Sequence, residues 1–281
     1  YMEDMKEIWD HKTYTDYERK IRIQLKPLAK KSIATITPQD VGEWLRSSTK
    51  NYSTKNALKY ASSVFSDLEY EEKVSINPFK KAMGSKKIKK SLPATKKVIT
   101  HIPPSDIDLY LEAIYEAYKT HHRSIIDIIL FMLLTGKRIE ECCHAKFSNF
   151  DEHEGTLFLE ETKFSKEESL VLTDYALMII LKRKRLQEEW IESSLSKKKN
   201  RKSILSPKKQ QYIFFSHIGK CNYVSNTSRA MKNIWGYYLN ILEEQNKKLN
   251  TNRKPLSLKK YASGKEEKKN ITNHDLRRTY T

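Results

Sequence analysis

Cysteine is scarce: the 281 residues hold three, Cys142, Cys143 and Cys221, an odd number with two adjacent. Such spacing excludes a disulfide framework and suits a reducing compartment, so a cytoplasmic setting is expected. Glu141-Cys142-Cys143-His144 invites a metal reading, but no C-x-x-C or H-x-x-x-H pair completes a tetrahedral site. No metal is expected, and the thiols read as buried core. Long apolar runs are also missing. The longest, 125–134, is too short to span a bilayer and carries Asp127. No secretory signal is recognisable, no membrane partner is expected, and there is no internal repeat. Negative charge is in deficit, with 35 Asp and Glu against 53 Lys and Arg, giving +18 and a pI near 9.5. That balance favours a polyanionic partner, nucleic acid before an acidic membrane surface.

What is present suffices for folded cores: 38% hydrophobic and 10% aromatic residues, over a length that suits about two domains. Residues 1–85 read as a small basic helical module. Tyr14, Tyr17, Ile21, Leu25 and Leu28 fall at helical spacing up to Pro27. Thr37-Pro38-Gln39-Asp40 gives a cap, a first-turn proline and an acidic third position, followed by Val41, Trp44 and Leu45 as a buried stripe. Ser53 opens the next helix, with Ala57, Tyr60, Ala61, Val64, Phe65 and Leu68 on one face. Lys55, Lys59, Ser62 and Ser63 lie on the other, where they suit phosphate contacts or an ordinary solvated face. Asn77-Pro78 closes the module.

Residues 86–101, with Lys86, Lys87, Lys89 and Lys90, carry a linker signature and a candidate track for a nucleic-acid backbone. Residues 102–281 form a second domain. Ser105 is expected to cap a helix, and a buried helix over 123–134 ends at Thr135-Gly136. Strands at 156–161 and 169–172 form a hairpin whose tip carries Lys163 and Lys166. A helix follows Thr173-Asp174. Residues 190–210 read as an exposed insertion, 212–215 as a short strand, 226–244 as a helix and 247–270 as a polar loop. The fold class is mainly α with a small β-sheet (α+β).

The closing Thr272-Asn273-His274-Asp275-Leu276-Arg277-Arg278-Thr279 stretch suits a capped helix start. It places His274 and Arg277 on one face near the positive dipole end, where a phosphate is favoured. For a bare H-x-x-R, a solvated basic helix end is the better reading, so the motif needs a second half elsewhere in the chain. Its candidate partner is Arg138, which follows Gly136 at the start of another helical segment. A guanidinium grips two phosphate oxygens at once and keeps its charge. Glu141, one turn after Arg138, is placed to brace it.

The order T-G-x-R-x-x-E, a hairpin bearing T-K, then H-D-L-R-R-T resembles the tyrosine recombinases, or phage-type integrases. The 1–85 module is similar to their SAM-like core-binding domain, and 102–281 to their catalytic domain. The resemblance implies a C-shaped clamp on double-stranded DNA, in a bacterial cell or phage-infected host. It also implies strand cleavage through a 3′-phosphotyrosine, a homotetramer on synapsed sites, DNA-bending accessory proteins as further partners, and no cofactor. It assigns Arg138 and Arg277 to the scissile phosphate, His274 to phosphate binding and proton transfer, and Lys163 to general acid, with Lys166 the alternative. The nucleophilic tyrosine is expected beyond Thr281, with none in this chain, so the fragment should bind DNA without cutting it. Tyr280 falls at a packing position. A type IB-like topoisomerase and a non-enzymatic DNA-binding protein are the rival readings.

Overall fold

The computed structural model describes residues 2–49, 51–93, 101–160, 166–196, 207–216, 221–253, 258–260, 266–268 and 271–280. The chain divides into two units, Tyr1–Lys97 and Val98–Thr281, each with its own hydrophobic core.

In the first unit, α1 (Met2–Ile8) and α2 (His11–Gln24) precede a 3-10 turn at Lys26–Leu28 that accommodates Pro27. Thr37 and Asp40 exchange hydrogen bonds at the start of α3 (Pro38–Ser47), the Thr37 N–H donating to the Asp40 carboxylate and the Asp40 N–H to the Thr37 hydroxyl. The Lys31 ammonium and the Thr37 donors beside Asp40 hold its carboxyl down at about 2. Val41, Trp44 and Leu45 are buried as their spacing predicts. The next helix, α4 (Tyr52–Tyr70), starts one residue before Ser53, because the Asn51 side chain accepts the Thr54 N–H at 2.9 Å. Ser62 sits on the core side rather than on a free face, and its carbonyl accepts the Asn77 amide at 2.7 Å. Asn77 does not close the module. It caps α5 (Pro78–Gly84), accepting the Lys80 N–H at 2.9 Å. The lysine-rich segment read as linker begins with helix α6 (Lys86–Ser91), whose Ile88 packs with Leu92 against the first core.

The second unit opens on Ile102, buried, followed by a 3-10 turn and α7 (Ile107–Ala117). Asp106, not Ser105, holds the N-cap position, and its carboxylate accepts the Ser105 hydroxyl and the buried Tyr238 hydroxyl. Helix α8 (Arg123–Thr135) is the apolar axis of this core and stops at Gly136, whose φ of +64° only glycine adopts without strain. Then come α9 (Ile139–His144) and an antiparallel sheet of β1 (Phe150–Asp151), β2 (Thr156–Leu159) and β3 (Glu168–Val171), in that order. Leu157 and Leu159 of β2 point into the core. Strand β1 carries too few residues to show an alternation, so nothing in the sequence marks it.

Helix α10 (Asp174–Ser196) continues through the first part of the segment read as an insertion, and Trp190 packs 6.0 Å from Phe215. After α11 (Pro207–Gln210), the 212–215 segment forms isolated bridges, Lys146 with Tyr212 and Phe215 with Tyr223, in place of a strand. Helix α12 (Ser228–Leu249) buries Met231, Ile234, Trp235, Tyr238 and Leu242. It runs past the expected end until Asn250 takes a positive φ. Strands β4 (Leu258–Lys260) and β5 (Glu266–Lys268) pair within what reads as a polar loop. Last is α13 (Asn273–Tyr280), which packs on α8 through the buried Leu276. The Thr279 hydroxyl of α13 accepts the Ile102 N–H at 2.9 Å, joining the two ends of the unit. Cys142 and Cys143 are buried as expected, whereas Cys221 is exposed, on an irregular stretch with no helix or strand to carry it inward. Among the described residues, no helix is long and apolar enough to cross a membrane.

Candidate active site

Three short segments of the second unit build the site. The αL turn at Gly136 ends α8 and reverses the chain, so Arg138 becomes the residue before α9. Glu141, on the first turn of α9, reaches back to it. Its carboxylate accepts the Arg138 backbone N–H at 2.8 Å and the Arg138 guanidinium at 2.8 Å. An arginine can only donate, so this is the acidic half of a capping box with a charged bond added. The third segment is α13. Asp275 is buried and accepts both the N–H and the hydroxyl of Thr272, fixing the helix start, and it also pairs with Arg278 at 3.2 Å. Thr227, just before α12, donates to the Asn273 side chain at 3.0 Å.

So anchored, α13 brings Arg277 to 3.7 Å from Glu141. That separation is an ion-pair contact and too long for a hydrogen bond. One nearly buried carboxylate therefore faces two guanidiniums that are each about one-third exposed (34% and 35%). The pair keeps an excess of one positive charge, and Arg277 keeps its donors for another acceptor. His274 is exposed, three residues before Arg277, on the same helix face. Burial pushes the Cys142 thiol well up, while the positive charges of Lys137 and Arg277 pull the other way. That thiol is a packed core group, not a nucleophile.

Tyr280 also has a definite place. A Cβ added at Gly136 would lie 2.6 Å from the Tyr280 ring, so the ring covers that glycine.

Two ion pairs that the sequence does not reveal tie the hairpin to the residues flanking α9. Lys137 meets Glu168 of β3 at 2.6 Å, and Lys146 meets Glu160 just after β2 at 2.7 Å. The Lys146 and Asn149 donors hold the Glu160 carboxyl below its ordinary value. Such partners are distant in sequence and carry no motif, so only a register for the hairpin could have suggested them. Lys163 lies outside the described residues; Lys166 is exposed at the entry to β3. The basic residues of the first unit are arranged unequally. Lys59, Lys86, Lys87, Lys89 and Lys90 are exposed, whereas Lys55 is half-buried and donates to the Pro93 carbonyl at 2.9 Å.

The sequence profile of the phage integrase family matches residues 106–281, from the start of the second unit's first helix through both arginine motifs. The chain belongs to that family, the tyrosine recombinases. None of the curated proteins matches it in sequence. Among solved structures, it is similar to the Tn1549 transposon integrase in complex with a circular intermediate DNA, at 15% identity and a TM-score of 0.59, over 99% of this chain and 83% of that one. It is similar as well to a lambda integrase dimer bound to a core site, at 17% identity and a TM-score of 0.57, over 97% and 79%. A lambda integrase tetramer on a Holliday junction matches 97% of this chain and 64% of that one, at 17% identity and a TM-score of 0.56. At such identities the likeness speaks for the fold, which is that of an integrase core: mainly helical with a small antiparallel sheet.

Proposed function

We propose that this protein is a site-specific DNA recombinase that cuts and rejoins strands through a 3′-phosphotyrosine. The observation that carries the reading is Glu141 facing both Arg138 and Arg277, which presents two forked cations to one phosphodiester. In the reaction a tyrosine hydroxyl attacks phosphorus and the 5′-oxygen leaves with a proton. Charge then grows on the two non-bridging oxygens, where the guanidiniums meet it. His274 assists at the same oxygens and in proton transfer. Lys163 of the hairpin delivers the proton to the leaving 5′-hydroxyl, with Lys166 as the alternative. The attacking tyrosine is a residue other than Tyr280, whose ring is committed to Gly136. Substrate DNA is double-stranded, and exchange proceeds in a homotetramer on paired sites in the cytoplasm, as the Holliday-junction assembly of lambda integrase suggests.

The test is a nicked suicide substrate with full-length protein, scoring covalent protein–DNA complex. Arg138→Ala and Arg277→Ala should each abolish it while duplex binding persists, and Tyr280→Phe should leave it unchanged. A substrate with a 5′-bridging sulfur should rescue Lys163→Ala, because sulfur leaves without a proton. Rescue of Lys166→Ala instead transfers the acid role to that residue, and undiminished cleavage in either arginine variant sinks the assignment.

A further inference from the structure

Among the described residues, the ladder of β2 with β3 ends at the rung of Leu159 with Glu168. Past that rung the chain leaves β2 at Glu160 and re-enters the sheet at Glu168. These two carboxylates therefore stand at the two ends of residues 161–167, the stretch that carries Lys163 and Lys166. Both are ion-paired, and both partners flank α9. Lys137 reaches Glu168 at 2.6 Å, and Lys146 meets both Glu160 oxygens, at 2.7 and 2.9 Å. Asn149 adds an amide donor to Glu160 at 3.0 Å.

The lysines stand on fixed backbone. Lys137 follows Gly136, whose N–H donates to the Met132 carbonyl at the end of α8, and it directly precedes Arg138. Lys146 is bridged to Tyr212, and the adjacent Phe147 N–H donates to the Gln211 carbonyl at 3.0 Å. The lysine side chains are 14% and 27% exposed, against 52% and 49% for their partners, so the lysine is the more restrained half of each pair.

Half-exposed ion pairs contribute little to stability, because water screens them and ordering two long side chains costs entropy. Stability therefore gives no reason for two of them on one short hairpin, whereas position does. One pair would leave the hairpin end free to swing about a single anchor; two, on opposite strands, fix both sides. Each anchor also belongs to the arginine-bearing segment. Lys137 is the neighbour of Arg138, and Lys146 lies just past the helix whose Glu141 holds Arg138.

We infer that Lys137 and Lys146 are positioning residues: through Glu168 and Glu160 they set residues 161–167 against the arginine pair, so that a lysine of that stretch meets the leaving 5′-oxygen. This rests on the proposed recombinase reaction, in which that lysine gives its proton to the 5′-oxygen as the bond to phosphorus breaks. The two ion pairs act on the reaction only through the hairpin.

The test uses full-length protein and saturating nicked suicide substrate, with oxygen or sulfur at the 5′-bridging position, and reads the single-turnover rate of covalent complex formation. Glu160→Gln with Glu168→Gln removes both ion pairs and keeps side-chain size. Both positions are half-exposed, so the fold should persist, which circular dichroism verifies. On the oxygen substrate the rate should fall at least about tenfold, the cost of a misplaced reacting group. On the sulfur substrate, which needs no proton, it should return to that of the parent. Lys137→Met with Lys146→Met breaks the same pairs from the other side and should give the same pattern. A parent-like rate on oxygen in either double variant overturns the inference. So does a defect that persists on sulfur, since a merely weakened fold slows both substrates alike. If neither Lys163→Ala nor Lys166→Ala recovers on sulfur, no hairpin lysine is the acid, and the inference falls with that reading. Recovery of a lysine variant without recovery of the glutamate variant overturns the inference alone.

Discussion

Glu141 shows how a single side chain can set a reactive pair. Both arginines would repel each other across an empty gap; the carboxylate between them removes that repulsion and fixes Arg138 through two bonds at once. Glu141→Gln keeps the shape and the acceptor but discards the charge. We expect a loss on the order of 1–3 kcal/mol in unfolding free energy, with the lower half favoured because both guanidiniums are one-third exposed and screened. Covalent complex formation should fall at least about tenfold, since the arginines lose their common reference. Urea denaturation and the suicide-substrate assay report the two effects separately, and a variant matching the parent in both would show that Glu141 is dispensable. At this scale the sequence was informative where a residue acts within one turn, as Glu141 does on Arg138. It was silent on Lys137 with Glu168 and Lys146 with Glu160, whose partners meet only after the hairpin docks.

Among elements, α8 and α13 meet at close quarters, where the Tyr280 ring lies on Gly136. Gly136 combines a positive φ with a ring directly over its Cα, so Gly136→Ala meets strain and collision together. A cost of about 1–3 kcal/mol is expected. The two contributions can be parted. Adding Tyr280→Ala should return the collision share and leave the dihedral share, about 1 kcal/mol, unrecovered. Full recovery in the double variant would mean that the backbone carries no strain. Elements were legible where a cap and an apolar stripe agree, as at Thr37–Leu45, or where the stripe is long, as along α12. They were misread where polar composition hides helix. Lys86–Ser91 and 190–196 are helical because Ile88 and Trp190 find a core and an aromatic neighbour, contacts that lysine-rich surroundings do not advertise.

For the whole molecule, a charge of +18 sets the salt dependence of the proposed duplex binding. Each lysine that neutralises a phosphate releases condensed counterions and contributes about 0.9 to the slope of log affinity against log salt. Replacing Lys86, Lys87, Lys89 and Lys90 together by glutamine should lower that slope by about three to four, with little change in cleavage once DNA is saturating. An unchanged slope would remove α6 from the DNA-contacting surface. Division into a helical unit and a mixed unit was readable from composition and punctuation, whereas the contact that closes the second unit was not. Ile102 and Thr279 are 177 residues apart in sequence, and this distance has a consequence for synthesis. A ribosome adds about 5–20 residues per second, so α7 and α8 wait many seconds for the helix that completes their core. Through that interval Arg138 already has Glu141, but the seat of Leu276 is open and Arg277 does not yet exist in folded form. The two halves of the proposed phosphate grip are thus made far apart in time, Arg138 long before Arg277.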